Sequence, residues 1–309
     1  MPQRALAVVF MLCAAAFVAG STIFAKALGV GGMHPFQVSS GRFIFALVGL
    51  AAASLILRPR IRRPNLPLHS LRVLLGWLGV TCMFAAVARM PAAEATAISF
   101  INPIIAMILA IPLLGERVGP WRWAAAAIAF TGALILIRPG ADAFQPAALI
   151  AMLAALFMGA EVIVIKRLTR AEGPLQILIV NNAIGVVMSG LAAWFVWTAP
   201  SGTEWLLMAG TGLLMVCGQA CFLNAIGRAD ASYVTPVFYA TLIFAALYDA
   251  VIFGVLPSAY GYAGAALILS GAAILVWREG QSPPAALAPS SASGSSASSG
   301  EKKPGSSRR

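Results

Sequence analysis

Charged residues are scarce in this sequence. Only 10% of its 309 residues are Asp, Glu, Lys or Arg, whereas 60% are hydrophobic, and a soluble domain has about 25% charged residues. A water-soluble fold cannot hide that much apolar surface. Apolar stretches of roughly 20 residues, long enough to cross a bilayer, recur along most of the chain. The composition therefore predicts an all-α integral membrane protein.

Cysteine and histidine are also few. All four cysteines lie in apolar stretches without nearby His or carboxylate residues, so the sequence predicts neither a disulfide framework nor a metal site. The two histidines, His34 and His69, lie in or beside loops. No glycine-rich phosphate loop and no nucleophile constellation appears. We therefore predict no metal, no cofactor and no enzymatic activity.

The basic residues give a formal net charge of +11, but they lie in short loops rather than along one surface, so nucleic acid is not a predicted partner. Hydropathy, with Pro, Gly and charge as breaks, predicts ten transmembrane helices. Their ranges are about 5–28, 36–57, 70–88, 92–114, 121–138, 146–166, 174–198, 203–226, 231–253 and 259–277.

Loop charges orient these predicted spans. With a cytoplasmic amino terminus, twelve Lys or Arg residues fall on the inner side and three, Lys26, Arg89 and Arg138, on the outer side. This asymmetry predicts a multi-pass protein of the inner (plasma) membrane with both termini in the cytoplasm. Residues 280–309 are rich in Pro, Ala, Ser and Gly and are predicted to form a disordered cytoplasmic tail.

The two halves of the chain resemble one another. A shift of 139 positions aligns them without a gap, with matched pairs that include Arg89/Arg228, Trp121/Tyr260, Trp123/Tyr262, Thr131/Ser270 and Gly132/Gly271. We assign residues 1–140 and 141–279 to two repeats of five predicted spans. Because five is odd, the second repeat enters the membrane in the opposite sense. Such an inverted repeat provides a physical basis for alternating access.

A motif in the first half points to a known family. Residues 92–103 read AAEATAISFINP, and LGER follows at 114–117. These residues resemble the EamA-type repeat of the drug/metabolite transporter superfamily, over roughly residues 5–277. The resemblance implies a ten-helix carrier of amino acids or related metabolites, commonly an exporter and sometimes an importer. It marks Gly115, Glu116 and Arg117 as the signature, which the second half lacks because Gly254 is followed by Val255.

Charged residues inside predicted spans need partners or water, because a charge at the hydrocarbon centre costs about 2.5–3.5 kcal/mol. Arg42, Glu94 and Asp249 are predicted to form an outer cluster, which would either line a polar path or lock helices as a static ion pair. Glu161 would either meet the substrate from the inner side or extend toward the cations Lys166 and Arg167.

Uncharged candidates accompany these residues. Pro103 and Pro236 would interrupt helices and free backbone carbonyls for a ligand, or merely bend the helices. The remaining polar candidates for substrate binding, which could equally form interhelical hydrogen bonds, are Asn102, Asn181, Gln219 and Tyr239.

Taken together, these patterns predict a secondary transporter that moves a small metabolite across the inner membrane, with export of amphoteric compounds and proton coupling as the first expectation. Two alternatives stay open: an importer of a small metabolite or vitamin, and a membrane subunit that transports nothing. Membrane lipid and a small-molecule substrate are the predicted partners. Small-residue motifs such as Gly76-x-x-Gly79 and Gly261-x-x-Gly264 are predicted to let helices pack closely, and small-residue faces would also permit a homodimer.

Overall fold

A computed structural model describes residues 3–57, 63–114, 119–137, 145–168, 172–226, 228 and 237–279. These residues form helices and no strands. The helices are α1 (Gln3–Val30), α2 (Pro35–Leu57), α3 (Leu66–Val87), α4 (Ala92–Ser99), α5 (Asn102–Leu114), α6 (Pro120–Ile137), α7 (Pro146–Leu168), α8 (Pro174–Trp194), α9 (Gly202–Ile226), α10 (Ala240–Phe253) and α11 (Ala259–Glu279).

Seven spans in the described residues are long and apolar enough to cross a membrane, with α4 and α5 sharing one of them. Shorter apolar segments occur in α6 and α10. The structure thus confirms an all-helical membrane protein, whereas the count of ten spans stays a prediction.

Proline sets several helix boundaries. Pro35, Pro120, Pro146 and Pro174 each begin a helix, where the missing N–H costs no hydrogen bond. The span that contains α4 and α5 is interrupted at positions 100 and 101, directly before Asn102 and Pro103. Because proline has no N–H, the helical hydrogen bond to the carbonyl four residues earlier cannot form at Pro103. Pro236 lies outside the described residues.

Two pairs of helices at matched positions of the two repeats, α2 with α8 and α6 with α11, pack antiparallel. In α2 and α8, Gln37 bonds to Thr198 while Phe43 packs against Gly185, so the two chains run in opposite directions. In α6 and α11, a Cβ added at Gly132 would lie 2.6 Å from the carbonyl oxygen of Gly264. Only residues without side chains allow so close an approach. Antiparallel mates are the geometry of an inverted repeat.

Helices of each repeat also pack along helices of the other repeat. Helix α1 of the first half packs along α9 of the second, and α7 of the second packs along α3 of the first. A shift of 139 positions converts α1 into α7 and α3 into α9, so the two pairings are symmetric copies. We call the two ends of this bundle the Lys26 end, where α1, α3 and α10 finish, and the His69 end, where α3 and α8 begin.

The glycine pairs Gly76/Gly79 and Gly261/Gly264 pack helices within the chain, as their spacing predicts. Gly76 lies against Glu161 and Gly79 against Met158. Gly261 and Gly264 face Glu94 and Leu136 respectively. These faces therefore pack one half against the other, and a homodimer would need a different surface.

Candidate functional site

A cavity of about 420 Å³ lies toward the His69 end and has walls from both halves. We call it the chamber. Its walls are mostly apolar and include Met215, Phe222 and Phe238, while Arg72 and Gln219 supply polar groups. A largely apolar cavity of roughly 300–1,000 Å³ with a few converging polar groups is the usual form of a small-molecule site.

Arg72 is held in the chamber wall by neighbours from two other helices. Its Nη1 donates a hydrogen bond to the Ile177 carbonyl oxygen at 3.3 Å, and its Nε lies 3.4 Å from Glu161 Oε1. Gly76, one turn further along α3, leaves room for that carboxylate, because a Cβ there would lie 2.9 Å from its carbon and oxygens. The missing side chain thus lets the ion pair form.

Arg42 joins this ion pair from α2. It is 5% exposed, interacts electrostatically with Glu161 and Arg72, and lies 4.7 Å from the centre of the Phe43 ring. We call Arg42, Arg72 and Glu161 the charged triad. It places two guanidinium groups and one carboxylate in a mostly buried setting, where charges are screened much less than at a surface.

The residues at the symmetry-related positions of the charged triad are uncharged. A shift of 139 positions places Asn181 at the position of Arg42, Thr211 at that of Arg72 and Thr22 at that of Glu161. All three mates are buried. Beside them, Ser21 Oγ donates to the Thr211 carbonyl oxygen at 2.8 Å. In each of these three symmetry-related pairs, one residue is charged and the other is neutral.

The acids Glu94 and Asp249 lie at the Lys26 end rather than beside Arg42. Asp249 Oδ1 pairs with Lys26 Nζ at 2.5 Å, and Asp249 Oδ2 accepts from the Ala92 N–H at 2.8 Å. The predicted outer cluster is therefore wrong in its cation, which is Lys26 and not Arg42. The sequence places Lys26 among the outer loop charges, whereas in the structure its side chain is buried near the end of α1.

Glu94 accepts hydrogen bonds from both the backbone N–H and the hydroxyl of Ser258, at 2.9 and 2.7 Å. Ser258 directly precedes α11, so the carboxylate satisfies groups at that helix start and lies near its positive dipole end. These contacts account for the burial of both acids. Their use in a transport pathway stays a prediction.

The other predicted residues lie near the chamber, in helix contacts elsewhere, or outside the described residues. Glu161 and Gln219 lie at the chamber or in the charged triad, and Asn181 lies one turn from Leu178 of the chamber wall. Asn102 packs its backbone carbonyl against Gly159, and the ring of Tyr239 lies against Phe100. Gly115, Glu116, Arg117 and Pro236 lie outside the described residues.

Arg72 is a functional candidate that the sequence alone does not single out. Its position near the predicted start of a span places it among the inner loop charges. Helix α3 begins at Leu66, so Arg72 lies nearly two turns inside the helix. The absence of a basic residue at its repeat mate, Thr211, is the available sequence signal.

A second polar contact joins the halves at the His69 end. Glu172 receives hydrogen bonds from the Asn65 backbone N–H at 3.1 Å and from Gln176 at 2.6 Å, and its Oε2 lies 2.9 Å from His69 Nε2. Burial alone would raise the pKa of Glu172, but the hydrogen bonds from His69, Asn65 and Gln176 outweigh it and lower the pKa. These hydrogen bonds connect the start of α3 to the segment that precedes α8, at the end of the bundle nearest the chamber.

Comparison with known proteins identifies related sequences. The EamA-like transporter family matches residues 5–138 and 145–277. The riboflavin transporter of Rhizobium johnstonii is 37% identical over 212 residues, which cover 68% of this chain and 70% of that protein. The S-adenosylmethionine uptake transporter of Rickettsia bellii is 28% identical, with 83% and 88% covered. A solved structure matches with a TM-score of 0.61 and 23% identity over 90% of this chain and 100% of that chain, which shows the fold alone.

Proposed function

Because this chain belongs to the EamA-like transporter family, and is therefore a membrane transporter of the drug/metabolite superfamily rather than an enzyme, we propose that it takes up riboflavin or a closely related flavin by alternating access. The observation that carries the proposal is an apolar chamber between two inverted halves, with its polar groups grouped at Arg72 and Gln219.

The direction of transport is proposed as import. The first expectation, export of amphoteric metabolites, receives less support than its alternative, because the relatives described above are named for riboflavin transport and S-adenosylmethionine uptake. The positive-inside asymmetry supports placing the His69 end in the cytoplasm. In this arrangement the chamber lies closer to the inner side, and the Lys26 end faces outward.

The chemistry of riboflavin suits the chamber. Riboflavin is uncharged and joins an apolar dimethylbenzene edge to a polar dione edge and a hydroxylated tail. Met215, Phe222 and Phe238 offer the apolar and aromatic surface on which a flat ring can stack. Arg72 and Gln219 offer donors for carbonyl oxygens.

S-adenosylmethionine is the second candidate, since the Rickettsia relative covers more of this chain than the riboflavin transporter does. Its ammonium and sulfonium groups outnumber its carboxylate, which makes its net charge positive. The charged triad also has more positive than negative groups, and like charges in a weakly screened cavity repel. The charge balance therefore favours the neutral flavin.

A growth assay tests this proposal. The full chain is expressed in a bacterial host that requires riboflavin and lacks its own uptake system, and growth is followed at limiting riboflavin. We expect growth to be restored, and we expect saturable riboflavin flux in vesicles that contain the purified protein. Absence of both growth and saturable flux, with the protein present in the membrane, would refute riboflavin uptake.

A further inference from the structure

The charged triad carries a net positive charge in the interior of the bundle. Arg42 and Arg72 are 5% and 6% exposed, and Glu161 interacts electrostatically with both of them. In the described residues, the Nε atoms of both arginines are buried without a hydrogen-bond partner. A buried donor without a partner is costly, and an uncompensated buried charge costs more.

The fold itself does not require this charge. The symmetry-related positions hold Asn181, Thr211 and Thr22, and all three residues are buried. Neutral residues therefore satisfy the same packing between the same pairs of helices. The arginines differ from their mates in what they can offer a ligand rather than in what they do for packing.

Arg72 is the member of the triad that reaches the chamber. Its Nη1 bonds to Ile177 and its Nε faces Glu161, while the side chain also lines the chamber wall. An arginine fixed in this way can present donors to adjacent acceptor oxygens, a geometry that a lysine does not reproduce.

We propose that Arg72 is a specificity-determining residue that binds the oxygen-bearing edge of the substrate, and that Arg42 and Glu161 are positioning residues for it. The inference rests on the proposed function and adds to it which part of the ligand is recognised. In a flavin, the acceptor oxygens belong to the dione edge of the ring system. In an amino-acid-like ligand they would belong to a carboxylate.

In this orientation the rest of a flavin lies against the apolar wall of the chamber. Met215, Phe222 and Phe238 face the dimethylbenzene part of the ring, and the dione points toward Arg72. The proposed orientation predicts that the ring and its dione contribute more to affinity than the ribityl tail. Lumichrome, which keeps the ring and dione but lacks the tail, should therefore compete with riboflavin, whereas ribitol should not.

Binding measurements on the purified full chain in lipid nanodiscs test the inference, with riboflavin fluorescence as the signal. We expect Arg72→Gln to weaken riboflavin binding by roughly tenfold or more, since a hydrogen bond from a charged donor is lost. Arg72→Lys keeps the charge but not the planar donor group, and we expect an intermediate loss. The control is Arg89→Gln, because Arg89 is exposed and bonds to Ala85 of its own helix.

A spectroscopic readout separates ligand contact from a structural role. The absorption band of a bound flavin responds to hydrogen bonds at its ring carbonyls, so the spectrum of riboflavin bound to Arg72→Gln should differ from that bound to the wild type. Thermal unfolding of each variant shows whether it is folded. If Arg72→Gln does not fold, Arg72→Lys decides the matter by the same two measurements.

The outcomes are distinguishable. Wild-type affinity and an unchanged flavin spectrum in a folded Arg72 variant overturn the inference but leave riboflavin uptake intact. If the wild type binds S-adenosylmethionine and not riboflavin, and Arg72→Gln loses that binding, the flavin proposal fails and the assignment of Arg72 holds with a carboxylate. If the wild type binds neither compound, both proposals are refuted.

Discussion

At the scale of single residues, Gly76 determines whether the charged triad can form. The carboxyl group of Glu161 occupies the space where a side chain at position 76 would begin. A methyl group there must displace Glu161, because the contact would be 2.9 Å and α3 and α7 are packed side by side. Arg72 would then lose its ion-pair partner.

We therefore predict that Gly76→Ala reduces riboflavin flux several-fold in vesicles while the protein still folds. Gly190→Ala is the matched control, since a Cβ there meets nothing within 4 Å and alanine is favoured over glycine within a helix by up to about 1 kcal/mol. Equal flux in Gly76→Ala and the wild type would show that the position of Glu161 does not matter.

Glu172 gives a prediction for pH. Its pKa lies below the usual value of 4.5 because its hydrogen bonds outweigh the effect of burial. A depressed pKa contributes stability that is present above the unfolded-state value and is lost as the pH falls through the folded-state value. Glu172→Gln removes this contribution at every pH.

The difference in thermal stability between the wild type and Glu172→Gln should therefore be largest above about pH 4.5 and should close on further acidification. Unfolding followed by intrinsic tryptophan fluorescence across pH 3.5 to 7 (about half-unit steps) measures it. A difference that does not change with pH would mean that the ionisation of Glu172 contributes nothing to folding.

At the scale of helices, the Lys26 end is held together by one carboxylate. Asp249 of α10 pairs with Lys26 of α1 and accepts from the first N–H of α4. Three helices from both halves therefore meet at a residue that is 1% exposed. The ring of Phe253 lies 5.1 Å from Lys26 Nζ and adds a cation–π contact.

Replacing one residue of the Lys26–Asp249 pair should lower the unfolding free energy more than replacing both residues. Lys26→Met and Asp249→Asn each leave one buried group without its partner, and we expect each to lower the unfolding free energy by about 3–5 kcal/mol. The double variant should recover part of that loss. Thermal unfolding of the four proteins gives the coupling, and a double variant with purely additive losses would contradict a direct pair.

Transport by the double variant separates the two roles that the sequence leaves open for Asp249. A static pair predicts flux close to that of the wild type once stability is recovered. A pathway or proton role predicts loss of flux, or loss of its pH dependence, even in a stable double variant.

At the scale of the whole molecule, the sequence predicts the architecture well. Ungapped matches such as Gly132/Gly271 predict two related halves, and in the structure these glycines lie where α6 and α11 cross. Hydropathy locates most helices to within a few residues because length and apolarity are set by the bilayer. The break before Pro103 follows from the missing N–H of proline.

The site was only partly predictable. Burial of Arg42 and Glu161 is visible in the hydropathy of their spans, but the choice of partner depends on helix rotation and depth, which hydropathy does not fix. Hydropathy therefore groups Asp249 with Arg42, although the partner of Asp249 in the structure is Lys26, and it places Arg72 among the loop charges. Contacts between α3 and α7 determine the triad, and they are distant in sequence.

The central claim is that the chamber between the inverted halves holds the substrate. Leu223 lines the chamber and is 37% exposed, whereas Leu191 of α8 is 67% exposed and does not line it. Each is replaced by cysteine in a chain whose four native cysteines are removed, and maleimide labelling is timed with and without saturating riboflavin. If the substrate binds in the chamber, riboflavin slows labelling at position 223 and leaves labelling at position 191 unchanged. Equal labelling rates at position 223 with and without bound riboflavin would contradict that claim.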